Sequence, residues 1–217
     1  MTGMTPHTLG LLHSLHMAQV VDNADPESRG RIQVQLQATD VRVWASVVSS
    51  SAGDGYGTSF IPRIDEIVVL AFVAPDLPLV LGSIWSGQNS IPENADPHED
   101  HYVVRTPAGT VMEFDDNDGP KLEIQTRQGH KLTISDGNGG EIEIMRGAQS
   151  MKMTAAAITI KSGGQINIES GGPVNVTAPI VSVSAAMSTF SGTVKADTVI
   201  SNSVISASYT PGAGNIW

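Results

Sequence analysis

The residues through which this chain could do chemistry are its histidines, its acidic turns and one glycine-rich loop. His7, His13 and His16 sit six and three residues apart near the N-terminus, and His98 and His101 lie three apart in a polar stretch. Imidazole pairs bind transition metals, but a site needs three or four ligands converging on an ordered scaffold. Neither group supplies them, so these side chains are expected to be exposed, as is His130 after its turn glycine. Asp115-Asp-Asn-Asp-Gly119 has a calcium-like run of acids. An EF-hand loop with Gly119 at its sixth position would need an acid at 114, which is Phe114. Asp136-Gly-Asn-Gly-Gly140 likewise misses the acid placement of a calcium β-roll. Both read as solvated turns. Gly53-Asp-Gly-Tyr-Gly57 fits neither the P-loop spacing nor the dinucleotide fingerprint. No Gly-x-Ser-x-Gly elbow is present, and the neighbouring carboxylates Asp65/Glu66 and Asp115/Asp116 would point to opposite faces of a strand. The residues therefore predict no catalytic site, no metal and no cofactor. Asn175-Val-Thr177 matches a glycosylation acceptor but reads as a strand segment.

Composition narrows the remaining classes. The 217 residues include no cysteine, which excludes a disulfide framework and thiolate chemistry. Twelve Lys and Arg stand against 22 Asp and Glu, a net charge of −10, which argues against nucleic acid as a partner. The excess is uneven: −7 over residues 1–99, −4 over 100–150 and +1 over 151–217. The longest apolar run, Ile67 to Ala74, is eight residues, against roughly 18 for a membrane helix. Leu9-Gly-Leu-Leu12 is too short for a signal sequence and has no basic residues before it, so synthesis without a signal peptide is expected.

The elements that must position these residues are strands. Ala18–Asp22, Arg31–Leu36, Val41–Val48, Ile67–Val73 and Leu79–Ile84 form short β-type runs separated by Pro- and Gly-bearing turns. Ile67–Val73 is apolar enough for a fully buried strand. Five strands in about 75 residues suggest a small closed or half-closed barrel. Residues 1–17 read as a lead segment, helical or disordered, and Ser90–His101 as a linker.

After the linker, apolar residues recur as pairs two apart, each pair on one strand face. These are Met112/Phe114, Leu122/Ile124, Leu132/Ile134, Ile142/Ile144, Met151/Met153, Ile158/Ile160, Ile166/Ile168, Val174/Val176 and Val181/Val183. Their first members step by 10, 10, 10, 9, 7, 8, 8 and 7 residues. Gly119, Gly129, Gly139, Gly147, Gly163 and Gly171 fall between pairs, where turns favour positive φ. The period predicts a repetitive β architecture of one strand and one turn per unit. With only two inward residues per strand, a single-layer ribbon must curl, pack on something or wrap around copies of itself.

Several stretches resemble one family. Val20-Val-Asp-Asn with Asp25-Pro26, Gly30-Arg31-Ile-Gln-Val34, Trp44-Ala-Ser-Val47, Ala52-Gly-Asp-Gly-Tyr-Gly57, Phe60-Ile-Pro-Arg63, Val69-Leu-Ala-Phe72 and Pro78-Leu-Val-Leu-Gly-Ser83 occur in the family's order. Residues 18–87 are similar to the oligonucleotide/oligosaccharide-binding (OB) domain of contractile-tail spikes: phage baseplate assembly protein V, phage tail spikes and the valine-glycine-repeat spike of type VI secretion. Val104-Arg-Thr-Pro-Ala-Gly109 through Phe114-Asp-Asp116 and Thr126–Ile134 resemble the start of that family's triple-stranded β-helix, and Ser203–Trp217 a spike end. The family's Pro-x-x-Gly-Asp-Glu-Val turn reads Pro62-Arg-Ile-Asp-Glu-Ile-Val68 and lacks its glycine. On this sequence the hub is expected to be a separate protein and not a domain before the barrel; no lysozyme domain interrupts the linker, and residues 203–217 hold no His-x-His pair.

The resemblance implies an all-β homotrimer with an N-terminal OB-fold barrel followed by an intertwined triple-stranded β-helix. Its parts would be a lead segment (1–17), OB domain (18–89), linker (90–101), needle (102–208) and apex segment (209–217). Leu122, Ile124, Leu132, Ile134, Ile142, Ile144, Ile158, Ile160, Ile166, Ile168, Val174 and Val176 would form the trimer core. Tyr209, Pro211, Ile216 and Trp217 would close the apex or seat a PAAR-like tip protein. The implied role is the central spike of a contractile injection machine, in the baseplate of a virion or phage-tail-like particle. It would sit below a separate hub protein and touch the target membrane transiently. The competing expectations are an OB-fold saccharide-binding module on a β-structured stalk, and an enzyme on a β-helical scaffold. Against the enzyme stands the lack of insertions long enough to build a cleft.

Overall fold

A computed structural model describes residues 15–207, apart from 38, 75, 89, 96–98 and 118. The described chain is all-β; its only helical pieces are two single 3-10 turns, Glu93–Ala95 and Gly137–Gly139. By backbone contacts the chain divides into two compact units, Met1–Ile166 and Asn167–Trp217.

The first unit opens with a closed barrel of β1 (Leu15–Asp22), β2 (Arg31–Leu36), β3 (Arg42–Val47), β6 (Ile67–Ala74) and β7 (Leu77–Ile84), in the order β1-β2-β3-β7-β6. All neighbours are antiparallel except β3 and β7. Alternate side chains point inward, and Ala18, Val20, Ile32, Val34, Ala45, Val68, Leu70 and Val80 are fully buried there. Val68 and Leu70 face this core, whereas Ile67 and Val69 are half-buried and Val73 is exposed. The apolar run at 67–73 is thus a half-buried strand, not the fully buried one its composition suggests. Closure of the barrel gives each strand an inner and an outer face, and the outer face carries apolar side chains as well. Between β3 and β6 the glycine loop folds into a minimal hairpin, β4 (Ala52–Gly53) with β5 (Tyr56–Gly57).

Two turns shape the barrel rim. Between β1 and β2 the Asp25 carboxylate accepts from the backbone N–H groups of Glu27, Arg29 and Arg31 and from the Arg31 guanidinium, at 2.8 Å from Nη2 and 3.1 Å from Nε. The guanidinium and these N–H donors hold the carboxyl far below its ordinary range. The second turn, Pro62 to Glu66, is the one without its glycine, and Asp65 takes φ 76° in its place. Aspartate is among the few non-glycine residues that enter the left-handed region. The Asp65 N–H also donates to the Val20 carbonyl at 2.9 Å, tying the turn to β1.

A seven-stranded antiparallel meander follows: β8 (His101–Arg105), β9 (Val111–Asp115), β10 (Lys121–Gln125), β11 (Lys131–Ser135), β12 (Glu141–Arg146), β13 (Gln149–Thr154) and β14 (Ile158–Lys161). Gly129 at φ 79° turns β10 into β11. Gly163 and Gly171 lack the positive φ expected of them, because no hairpin forms at either. Strand pairing stops at Lys161. Described residues 162–207 form bends and extended segments without a ladder, although the apolar pairs continue at Ile166/Ile168 and Val174/Val176. The 10-residue steps and the 9- and 7-residue steps after them all span paired strands; self-pairing is lost only within the 8-residue steps beyond Ile158.

Candidate functional site: an uncovered apolar sheet face

The meander sorts its side chains without a slip. Its register shows no shift from β8 to β14, so each apolar pair stands opposite the next. Tyr102, Phe114, Leu122, Ile134, Ile142, Met153 and Ile158 form one column on one face. Val104, Met112, Ile124, Leu132, Ile144, Met151 and Ile160 form the second. Ile144 remains 52% exposed, Tyr102 61%, Ile158 68% and Ile160 60%. A contiguous apolar strip of this length is far beyond the isolated exposed residues common on soluble surfaces.

The opposite face is polar and better covered. Val103, Glu113, Glu123, Thr133, Glu143, Lys152 and Thr159 run down its centre. Glu113 at 9% and Thr133 at 7% exposure are the most buried residues of the sheet. Lys131 pairs with Glu123 and Lys152 with Glu141, both at 2.6 Å. Lys121 pairs with Asp115 at 3.0 Å, which lowers the aspartate and raises the lysine from their ordinary values. The sheet thus pairs its charges on one face and leaves the apolar face open in the single chain.

Of the twelve residues expected in a trimer core, Leu122, Ile124, Leu132, Ile134, Ile142, Ile144, Ile158 and Ile160 lie on this face. Ile166, Ile168, Val174 and Val176 lie outside the paired sheet, at 54%, 79%, 61% and 71% exposure. Tyr209, Pro211, Ile216 and Trp217 fall outside the described residues, as do His7, His13, His98 and Asp118. The strip's first members, Tyr102 and Val104, were legible as an i, i+2 pair but sit at the end of a polar linker that hides them.

Three histidine expectations are corrected, the first being His16, which is half-buried on β1 with its ring edge-on to Phe72 at 5.7 Å. His101 is not an exposed linker residue: its side chain is 13% exposed and opens β8. Its Nε2 lies 3.1 Å from Asp115 Oδ1 and its Nδ1 2.9 Å from the Asn94 carbonyl. His130 is half-buried, and its Nδ1 is buried without a hydrogen-bond partner. The misreadings of His101 and His130 share a cause: proximity to a turn says nothing about which sheet face covers the ring. His101, Glu113 and Asp115 are the described group whose ligand-type atoms come within 4.8 Å of one another. Lys121 already supplies a cation to this group, and both ring nitrogens are engaged. Its geometry is that of an internally paired cluster. Among the described residues no helix is long and apolar enough to cross a membrane.

Comparison with known proteins agrees with this architecture. Residues 16–85 match the family described as the type VI secretion system/phage-baseplate injector OB domain. The chain is also 28% identical over 110 residues to the type VI secretion system spike protein VgrG5 of Pseudomonas aeruginosa. That alignment takes in 46% of this chain and 14% of the relative, so the chain corresponds to a small part of that protein's length. The matched segment coincides with the closed barrel, from β1 to the end of β7. The closed barrel is therefore similar to the injector OB domain of type VI secretion and phage-baseplate proteins, and it is followed here by an all-β extension.

Proposed function

We propose that this chain is the structural central spike of a contractile injection particle, acting as a homotrimer whose three apolar sheet faces meet on a common axis. The observation that carries this reading is the bulge-free double column from Tyr102 to Ile160, more than half exposed in the single chain at Tyr102, Ile144, Ile158 and Ile160 and a third or more at five further positions. Burying each side chain contributes about 1.5–3 kcal/mol, and a second and third copy offer a matching surface at every level. The charged lattice on the opposite face would then form the outside of a triangular prism.

Past Lys161 the backbone needs partners that its own chain does not supply as a ladder. In the proposed assembly, extended segments beginning near Gln165 pair with other copies. The needle thereby passes from self-paired faces (β8–β14) to an intertwined β-helix, with the domain limits expected from sequence. Interchain pairing also leaves no open sheet edge at β14. The barrel would face a separate hub protein, and the 209–217 segment would close the apex or carry a PAAR-like tip. The charge falls from −11 over residues 1–150 (−7 and −4) to +1 over 151–217, which would lower the desolvation cost of entering an envelope. Force from sheath contraction would be concentrated on that point, and no catalytic step is required.

Light scattering after size exclusion, beside a denaturing gel run with and without boiling, tests the assembly. A mass of three chains with a band that collapses only on boiling is expected. A folded monomer would end the spike reading and leave the barrel as a binding module on a stalk. Deleting 209–217 should leave the trimer mass unchanged but abolish capture of a tip protein. Retained capture would refute the apex role.

A further inference from the structure

Within the segment between barrel and needle, read from sequence as a plain linker, Asn94 is fastened to the sheet. Asn94, in the 3-10 turn Glu93–Ala95, donates from Nδ2 to Glu113 Oε2 at 3.2 Å and accepts at Oδ1 from Arg105 Nη1 at 2.8 Å. Its backbone carbonyl faces His101 Nδ1 at 2.9 Å. Both ends of the amide and the main chain are thus used, by three side chains from β8 and β9.

His101 closes this arrangement from between acceptors. Nδ1 meets the Asn94 carbonyl and, at 3.4 Å, Glu113 Oε1. Nε2 meets Asp115 Oδ1 at 3.1 Å. A backbone carbonyl only accepts, and so does an ionised carboxylate. Asp115 stays ionised because Lys121 pairs with its other oxygen at 3.0 Å. A neutral imidazole has one N–H and can satisfy only one side; the imidazolium donates to both.

We propose that His101 is a protonation-sensitive pin, and that the turn at 93–95 is a strap held on the needle sheet when the ring is charged and loosened when it is neutral. The groups that set this are Glu113 and Asp115 on β9, Lys121 on β10 acting through Asp115, and Arg105 at the other end of β8, bonded to Asn94. If the ring loses its proton, one contact becomes oxygen facing lone pair. With Nδ1–H retained, Asp115 is the group left without a donor. With Nε2–H retained, the Asn94 carbonyl is orphaned and the strap lifts.

The test is hydrogen exchange on the full chain at about pH 5.5, 7 and 8.5, each rate divided by its unstructured value at that pH. Amides at 93–95 and 101–105 should lose protection about tenfold from the acid to the alkaline end, as expected for losing one charge-assisted hydrogen bond. His101→Gln should be less protected at acid pH and flat across the range. Asp115→Asn supplies an amide N–H that can donate to a neutral Nε2, so it should keep protection at alkaline pH. A flat wild-type profile overturns the proposal, as does a wild-type slope in His101→Gln. Should His101→Gln fail to fold, loss of alkaline protection in Asp115→Asn overturns it instead.

Discussion

Ile144→Asp separates a free sheet from a three-chain needle. Ile144 lies mid-sheet on β12, opposite Leu132 and Met151, and is 52% exposed in the single chain. If the face stays open, an aspartate there is a surface change, within about 0.5 kcal/mol of neutral. If three faces converge, three carboxylates meet. At about 6 Å and an effective dielectric near 20, each pair repels by about 3 kcal/mol, or roughly 8 for three pairs, and desolvation adds several kcal/mol per ion. The cheaper escape is protonation. Holding a carboxyl of ordinary pKa near 3.9 neutral at about pH 7.5 costs about 5 kcal/mol per chain, or roughly 15 per trimer. That exceeds the roughly 12 kcal/mol of a nanomolar complex. Light scattering at micromolar concentration should therefore show loss of the trimer at neutral pH. Partial recovery is expected near pH 4, since a carboxyl raised by burial is stabilising only where it is protonated. Gln125→Asp, exposed on the opposite face beside Lys131, is the control and should stay trimeric. A trimer of unchanged mass and melting temperature in Ile144→Asp would refute convergence of the apolar faces.

Other consequences are local to the barrel. Leu70→Ala, at a fully buried site, should cost about 2–5 kcal/mol in denaturant unfolding; a loss below about 1 kcal/mol would contradict the described core. Asp65→Gly removes a left-handed aspartate at φ 76° and gives up only a 3.4 Å contact from Gln19. Relief of about 1–2 kcal/mol, less the entropy glycine adds to the unfolded chain, leaves a gain on the order of 0.5 kcal/mol. A lowered melting point would show that the turn needs its carboxylate. The Asp25 carboxyl is depressed in the folded state, chiefly by Arg31. Its contribution is complete above the unfolded value near 3.9 and is lost as pH falls toward the folded one. Asp25→Asn should be less stable than wild type at neutral pH, with the difference shrinking below about pH 4; a constant difference across acid titration would assign the effect to packing.

What was legible in the sequence follows from how local each signal is. Alternation in Arg31–Leu36 and the Pro/Gly turns around it are properties of a few adjacent residues, and the barrel strands lie close to their expected limits. The i, i+2 pairs likewise put Leu122 through Ile144 on one face, as the ladder does. The inward–outward split of Ile67–Val73 was hidden because both of its faces are apolar. The Asn94–His101–Glu113–Asp115 cluster was hidden for another reason. It joins a turn to two strands across up to 21 positions, and no short window contains it. Ile166 onward kept the periodic signal but gained no ladder, since periodicity reports which side chains share a face and not which chain supplies the neighbouring strand.

The unbroken register from β8 to β14 also bears on how such a chain can change length. One residue inserted within any of these strands would send every later side chain of that strand to the wrong face, putting isoleucines among the lysines and glutamates. The barrel tolerates irregularity, with shifts in the β1–β2 and β6–β7 pairings; the meander shows none. Insertions and deletions should therefore survive only in the turns or as whole strand-and-turn modules of about ten residues in this region. Evolution, or an engineer, could lengthen this part of the molecule only in discrete increments, each adding one further rung and one further reversal of the chain.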